Sequence, residues 1–85
     1  MLCVLLTGMS AQMRREFDLK DPAAIGALIR DRRAELRMSM RQLADGTGLS
    51  LTFIHAVEHG KTTAEIGKVL EILSALGIDL KGLPR

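Results

Sequence analysis

Residues 39–60, SMRQLADGTGLSLTFIHAVEHG, hold two short amphipathic helical patterns with a tight turn between them, and this unit constrains the fold more than any other stretch. Ser39 is placed to cap a helix whose Gln42 can reach back to the Ser39 amide, a reciprocal capping box. Met40, Leu43 and Ala44 then share one face at helical spacing until Gly46, Thr47 and Gly48 weaken the pattern. The turn falls at Gly48 and Leu49. Ser50 is a second N-cap, with Leu49 and Ile54 at the two positions of a hydrophobic staple. This second helix is expected to run to about His59 and to close at Gly60, a residue suited to the left-handed conformation that ends helices. Phe53, Ile54 and Val57 should pack inward or along the edge, while Leu51, Thr52, His55 and Ala56 point away.

Two helices joined so tightly outline a helix-turn-helix, whose second helix can enter the DNA major groove. Upstream, Asp21 followed by Pro22 marks a helix start, a capping side chain before a residue already fixed at helical φ. That helix is expected to reach about Leu36, with Ile25, Leu28, Ile29 and Leu36 as its buried stripe and Arg30, Asp31 and Glu35 on its wet face. Downstream, Thr62 and Glu65 read as another capping box, followed by the stripe Ile66, Val69, Leu70, Leu73 and Leu76 and a terminating Gly77. Ile72, Leu76 and Leu80 exceed what one small domain covers, so these residues and Ile78 are expected at a dimer interface. Ile78 to Lys81 alternates apolar and polar as a half-buried strand does, and with no other strand in the chain it needs a mate from a second copy. The opposing reading is a tail ending near Pro84. The expected architecture is all-α, a bundle of four to five helices, divided into an extension (1–18), a helix-turn-helix domain (19–77) and a strand or tail (78–85).

A chain of 85 residues makes one domain with a limited core, often helped by oligomerisation. Two Phe, no Tyr and no Trp argue against single-strand binders that stack bases on aromatic platforms. The net charge is +2, but through Arg41 the chain carries eight Lys/Arg against five Asp/Glu, and beyond it four against five. Arg30, Arg32, Arg37 and Arg41 on the first two helices are therefore candidates for DNA phosphates, the alternative being an ordinary solvated helix face. The lone Cys3 can form neither an internal disulfide nor a metal cluster, as befits a reducing, cytoplasmic setting. Met1 to Leu6 is apolar but lacks a basic flank and is too short to cross a bilayer, so no membrane association is expected. With Met9 and Met13 as alternative starts, the segment is an upstream extension, a short pairing strand or a tail, and the tail is preferred because unanchored ends are usually poorly ordered.

His55, Ala56, Val57, Glu58 and His59 spell H-x-x-E-H, a zinc-protease motif. Such a site needs a third ligand and a substrate cleft, and only Glu65, Glu71 and Asp79 remain downstream to complete it. No enzyme, cofactor or functional metal is therefore expected, although adventitious zinc or nickel on the two histidines stays open.

Across residues 33–61 the pattern R-x-x-x-x-M-S-x-x-Q-L-A-x-x-x-G-L-S-x-x-F-I-x-x-V-E-x-G-K resembles the phage-repressor (Cro/C1, XRE) helix-turn-helix family, which implies a lambda-repressor-like bundle. Arg33 and Glu58 occupy the places where that family pairs an arginine with a glutamate, a structural ion pair locking the first helix onto the recognition helix. Arg37 departs from the pattern, since the family often has glycine there, and implies an unusual backbone angle or a different helix termination. The flanks, LKDPAAIGALIRDRRAEL and GKTTAEIGKVLEILSALGIDL, are similar to HipB-like antitoxins, extending the resemblance over residues 19–80.

The resemblance implies a dimeric, sequence-specific transcriptional repressor on a palindromic double-stranded operator. It implies base contacts from Leu51, Thr52, His55 and Ala56 and phosphate contacts from Ser39, Met40, Arg41, Ser50, Phe53 and Lys61. HipB-like antitoxins repress their own operon, sequester a HipA-like serine/threonine kinase toxin in a type II toxin-antitoxin pair, and end in a strand that pairs across the dimer. Here too the chain departs from the family, which commonly places Gln, Arg or Lys at the reading positions, where a bidentate bond discriminates by about 1 to 3 kcal/mol. Met40 likewise replaces a phosphate-gripping glutamine. The alternatives are a stand-alone XRE-type regulator and a protein-interaction module with weak DNA binding.

Overall fold

Asp21 and Pro22 start the first helix as their chemistry requires: Asp21 Oδ1 accepts the Ala24 amide at 2.8 Å, and Pro22, which has no amide hydrogen, takes the first helical position. The computed structural model describes residues 15–85, and among these it contains four helices, α1 (Pro22–Glu35), α2 (Met40–Thr47), α3 (Leu51–Glu58) and α4 (Ile66–Ala75), and no strand. The expectations for Cys3 and the apolar opening fall outside the described residues.

Helices α1, α3 and α4 end in the same hydrogen-bonded device. In α1 the Arg37 amide donates to the Ala34 carbonyl at 3.0 Å and the Met38 amide to the Arg33 carbonyl at 2.9 Å, a pattern repeated by Gly60 and Lys61 after α3 and by Gly77 and Ile78 after α4. This Schellman arrangement needs a left-handed residue after the cap. Gly60 and Gly77 supply it, but after α1 the residue is Arg37, at φ +53°, the one described non-glycine with positive φ. Arginine thus takes the unusual backbone angle and the helix still ends where a glycine would have ended it.

The capping box of α2 is present in both directions: Ser39 Oγ accepts the Gln42 amide at 3.0 Å, and Gln42 Oε1 accepts the Ser39 amide at 2.7 Å. Gly48, at φ +74°, turns the chain, and Ser50 Oγ accepts the Phe53 amide at 3.0 Å to open α3. The box expected at Thr62 and Glu65 does not form. Residues 62 and 63 make a turn, α4 begins only at Ile66, and the Glu65 carboxylate turns to Lys68 Nζ at 3.3 Å instead of capping a backbone amide.

All four helices feed one core, built from Ile29, Leu43, Ala44, Ile54, Val57, Val69, Ile72, Leu73 and Leu76. On α4 the inward set is Val69, Ile72, Leu73 and Leu76, spaced i, i+3, i+4, i+7, so Leu70 falls on the outer face and is exposed. Ile66 is also exposed, in the first turn of α4 at the rim of a groove lined by Pro22, Ile25, Val57 and Val69. Two residues expected at a dimer interface are therefore core residues: Ile72 and Leu76 are 0% and 1% exposed, filling the space between the helices of a single chain. Leu80 is half exposed, Ile78 packs against the core, and among the described residues no strand pairs with residues 78–85. On α1 only Ile29 of the expected stripe is fully buried; Ile25 and Leu28 are half-buried, and Leu36 is exposed because it lies in the cap, beyond the helix.

Candidate nucleic-acid interface

The exposed face of α3 stands on a rigid support. Arg33 on α1 donates from Nε to Glu58 Oε2 at 2.8 Å and from a terminal nitrogen to Oε1 at 3.0 Å, closing the expected bidentate pair. The other terminal nitrogen donates to the Met38 carbonyl at 3.0 Å, so one guanidinium holds both α3 and the turn into α2. Glu58 is buried, and the hydrogen bonds to it raise the Arg33 pKa above its ordinary value, keeping the charge in place.

Close backbone approach adds to this support. A Cβ on Gly26 of α1 would lie 2.4 Å from the Val57 carbonyl oxygen and 2.7 Å from that of Glu58, so α1 and α3 touch main chain to main chain. Sequence reasoning missed Gly26; the available signal was a glycine in mid-helix, which is costly unless a neighbour needs the space.

On this support Leu51, Thr52 and His55 are exposed and, with half-buried Met40 of α2, line one shallow depression. Three of the four expected base-reading residues thus form one surface, and Ala56 lies half-buried at its edge. Ser39 and Ser50 each accept one amide at the caps of α2 and α3, an acceptor role that leaves the hydroxyl hydrogen to donate. Arg41, in the first turn of α2, and Lys61, just past α3, are exposed cations.

Phe53 has a different role from the expected phosphate contact. Its amide is bound to Ser50 Oγ, and its half-buried ring packs toward the core with Lys68 Nζ 5.6 Å from its centroid. Arg32 is also committed elsewhere, donating to the Leu76 carbonyl at 3.0 Å and to Glu35 at 3.2 Å, so it ties the end of α1 to the end of α4. Arg15 makes a two-pronged contact with the same Glu35, both distances 2.8 Å. Together the arginines pull the Glu35 carboxyl from 4.5 down to about 2, with hydrogen bonds from Arg15 and then Arg32 as the main causes. Arg30 pairs loosely with Asp31 at 3.7 Å, and Arg37 is exposed.

Glu58 of the H-x-x-E-H motif is held by Arg33 and cannot serve as a catalytic base, and among the described residues no group of three His, Cys, Asp or Glu assembles around a metal. Nor, among them, is any helix long and apolar enough to cross a membrane.

The comparisons agree with this geometry. Residues 29–83 match the model of the family described as helix-turn-helix. An uncharacterized HTH-type transcriptional regulator of Sinorhizobium fredii, y4mF, is 47% identical over 62 residues, covering 73% of this chain and 82% of that protein. Among solved structures, HipB in its complex with an O2 20mer superimposes with a TM-score of 0.76 over 82% of this chain and 97% of its own, at 14% identity, a likeness of fold. Sequence match, shared fold and the braced pair of short helices lead to one assignment: the chain belongs to the non-enzymatic, XRE-type helix-turn-helix family of transcriptional regulators.

Proposed function

We propose that the protein is a sequence-specific DNA-binding repressor that works as a dimer on a palindromic operator, with α3 seated in the major groove. The observation that carries this reading is the exposed surface of Leu51, Thr52 and His55 on a helix braced from behind by Arg33 and Gly26. Leu51 and the Thr52 methyl suit thymine methyl groups, and the Thr52 hydroxyl and His55 suit base edges or phosphates. Phosphate contacts fall to Arg41, Lys61, the hydroxyls of Ser39 and Ser50 and the N-terminal turn of α2 at Met40. With no Gln, Arg or Lys among the reading residues, affinity depends on groove shape and on two linked half-sites. The dimer contact is assigned to the exposed apolar residues Leu70 and Leu80, with the 78–81 segment pairing across the dimer.

The fold shared with HipB supports the finer reading that this is the antitoxin of a type II pair, repressing its own operon in the cytoplasm and neutralising a HipA-like kinase. The neutral face of α3 favours one competing reading, a protein-binding module with weak DNA affinity. Gel shifts across the DNA upstream of the coding sequence separate the two. A retarded band that persists against excess unrelated DNA supports the repressor, and a band lost to that competitor, or no band, supports the module. Co-expression with the neighbouring gene product tests the antitoxin role: co-purification with a kinase is expected, and a neighbour that does not bind contradicts it.

A further inference from the structure

Met40 at the start of α2 and Leu51, Thr52 and His55 on α3 line a depression of about 250 Å³ on the face proposed to meet DNA. Its lining is short of hydrogen-bonding groups. The Leu51 side chain has no polar atom, the Met40 thioether is a weak acceptor, and Thr52 carries a methyl beside its hydroxyl. His55 supplies the remaining polar group. Its ring is restrained by stacking on His59 at a centroid distance of 4.1 Å, and His59 Nδ1 donates to the His55 carbonyl oxygen at 2.8 Å. Beside the depression the surface changes character: Arg41 follows Met40, Ser50 precedes Leu51, and both are exposed. A cation and a hydroxyl donor next to an apolar hollow match a duplex, where phosphates flank the base edges.

An apolar hollow selects among those edges. In the major groove guanine, adenine and cytosine present only hydrogen-bonding groups at their distinguishing positions, whereas thymine adds a methyl group. A polar edge pressed onto Leu51 and Met40 gives up water without gaining a partner, which is costly, while a methyl group gains by leaving water. We propose that Met40, Leu51 and Thr52 form a recognition site for the methyl group of thymine, so that the protein selects its half-site chiefly by that methyl and not by a bidentate hydrogen bond. Leu51 is the specificity-determining residue, since it is the exposed hydrocarbon of the set, and half-buried Met40, packed against the core, forms the floor behind it. This assignment deepens the reading that α3 is the DNA-facing helix and rests on it.

The test uses the full-length chain and the upstream DNA prepared as two duplexes of one sequence, the second with uracil in place of every thymine. The exchange removes the methyl groups and keeps every base-pairing group. Fluorescence anisotropy at one salt concentration should show wild type binding the uracil duplex about fourfold or more weakly, equivalent to about 0.8 kcal/mol for one buried methyl. In Leu51→Ala the preference for thymine should shrink or vanish, because the surface that takes the methyl is gone. Equal wild-type affinity for the two duplexes overturns the methyl site. A loss on uracil DNA that is as large in Leu51→Ala as in wild type also overturns it, since uracil then acts through the shape of the duplex. If wild type binds neither duplex, the DNA reading fails together with the methyl site, whereas firm and equal binding to both fails the methyl site alone.

Discussion

Arg33 grips both carboxylate oxygens of Glu58, at 2.8 and 3.0 Å, and the side chains are 18% and 2% exposed. The pair couples α1 to the helix proposed to enter the major groove. Removing Arg33 leaves a buried carboxylate without its partner, so Arg33→Ala should cost about 3 to 5 kcal/mol. The double variant Arg33→Met, Glu58→Leu removes both charges and should cost less than the single change. Urea denaturation of the three proteins checks this, and a double variant worse than Arg33→Ala would refute it.

Gly26 yields a prediction opposed to helix propensity. Alanine in mid-helix is ordinarily better than glycine by about 1 kcal/mol. Here the added methyl would press on the carbonyl oxygens of Val57 and Glu58, at 2.4 and 2.7 Å, which belong to backbone and cannot swing aside. Gly26→Ala should therefore destabilise the fold by about 2 kcal/mol or more, in the range of overpacked cores. The thermal midpoint measures it.

At Arg37 the same substitution runs in reverse. Its left-handed backbone at φ +53° costs a side-chain-bearing residue about 1 kcal/mol or more, and the Schellman hydrogen bonds around it are already made. Arg37→Gly should raise stability by about 0.5 to 1 kcal/mol once the greater freedom of glycine in the unfolded chain is deducted. A shift in the urea midpoint at unchanged m-value is the expected signature.

Glu35 supplies the pH dependence. Its carboxyl sits at about 2 in the folded chain against 4.5 when free of Arg15 and Arg32. A depressed acid stabilises when ionised, so its contribution is complete above pH 4.5 and drains away as pH falls toward 2. Wild type should therefore exceed Glu35→Gln in thermal midpoint at pH 7, and the two curves should converge by about pH 2. Because the group is exposed, the gap should also shrink in high salt.

How much of this was legible in the sequence depended on whether the cause was local. Ser39 with Gln42, Ser50, and Asp21 before Pro22 announced their caps because a cap is made by residues a few places apart. Arg33 and Glu58, 25 positions apart, were found only through a family resemblance. Two of the three failures have the opposite cause. Thr62 and Glu65 had the letters of a capping box, but α4 begins at Ile66, which puts Glu65 at the N-cap itself instead of three places inside the helix. Ile72 and Leu76 looked surplus because periodicity counts apolar residues without saying how many helices surround them. Arg32 looked like a phosphate ligand until the fold brought the Leu76 carbonyl, 44 positions away, against its Nε. At the candidate site, the grouping of Leu51, Thr52 and His55 followed from helical spacing, whereas the His55 and His59 stack and the backbone contact at Gly26 needed coordinates.

In the proposed complex α3 reads DNA through the face bearing Leu51 and Thr52. Leu51 is 39% exposed in the first turn of α3, so Leu51→Glu should leave the thermal midpoint nearly unchanged while placing a negative charge against the duplex. The decisive measurement is fluorescence anisotropy of upstream duplex DNA titrated with wild type and Leu51→Glu at one salt concentration. A loss of affinity of about tenfold or more, equivalent to about 1.4 kcal/mol, is expected. Equal affinity for the two proteins would contradict it.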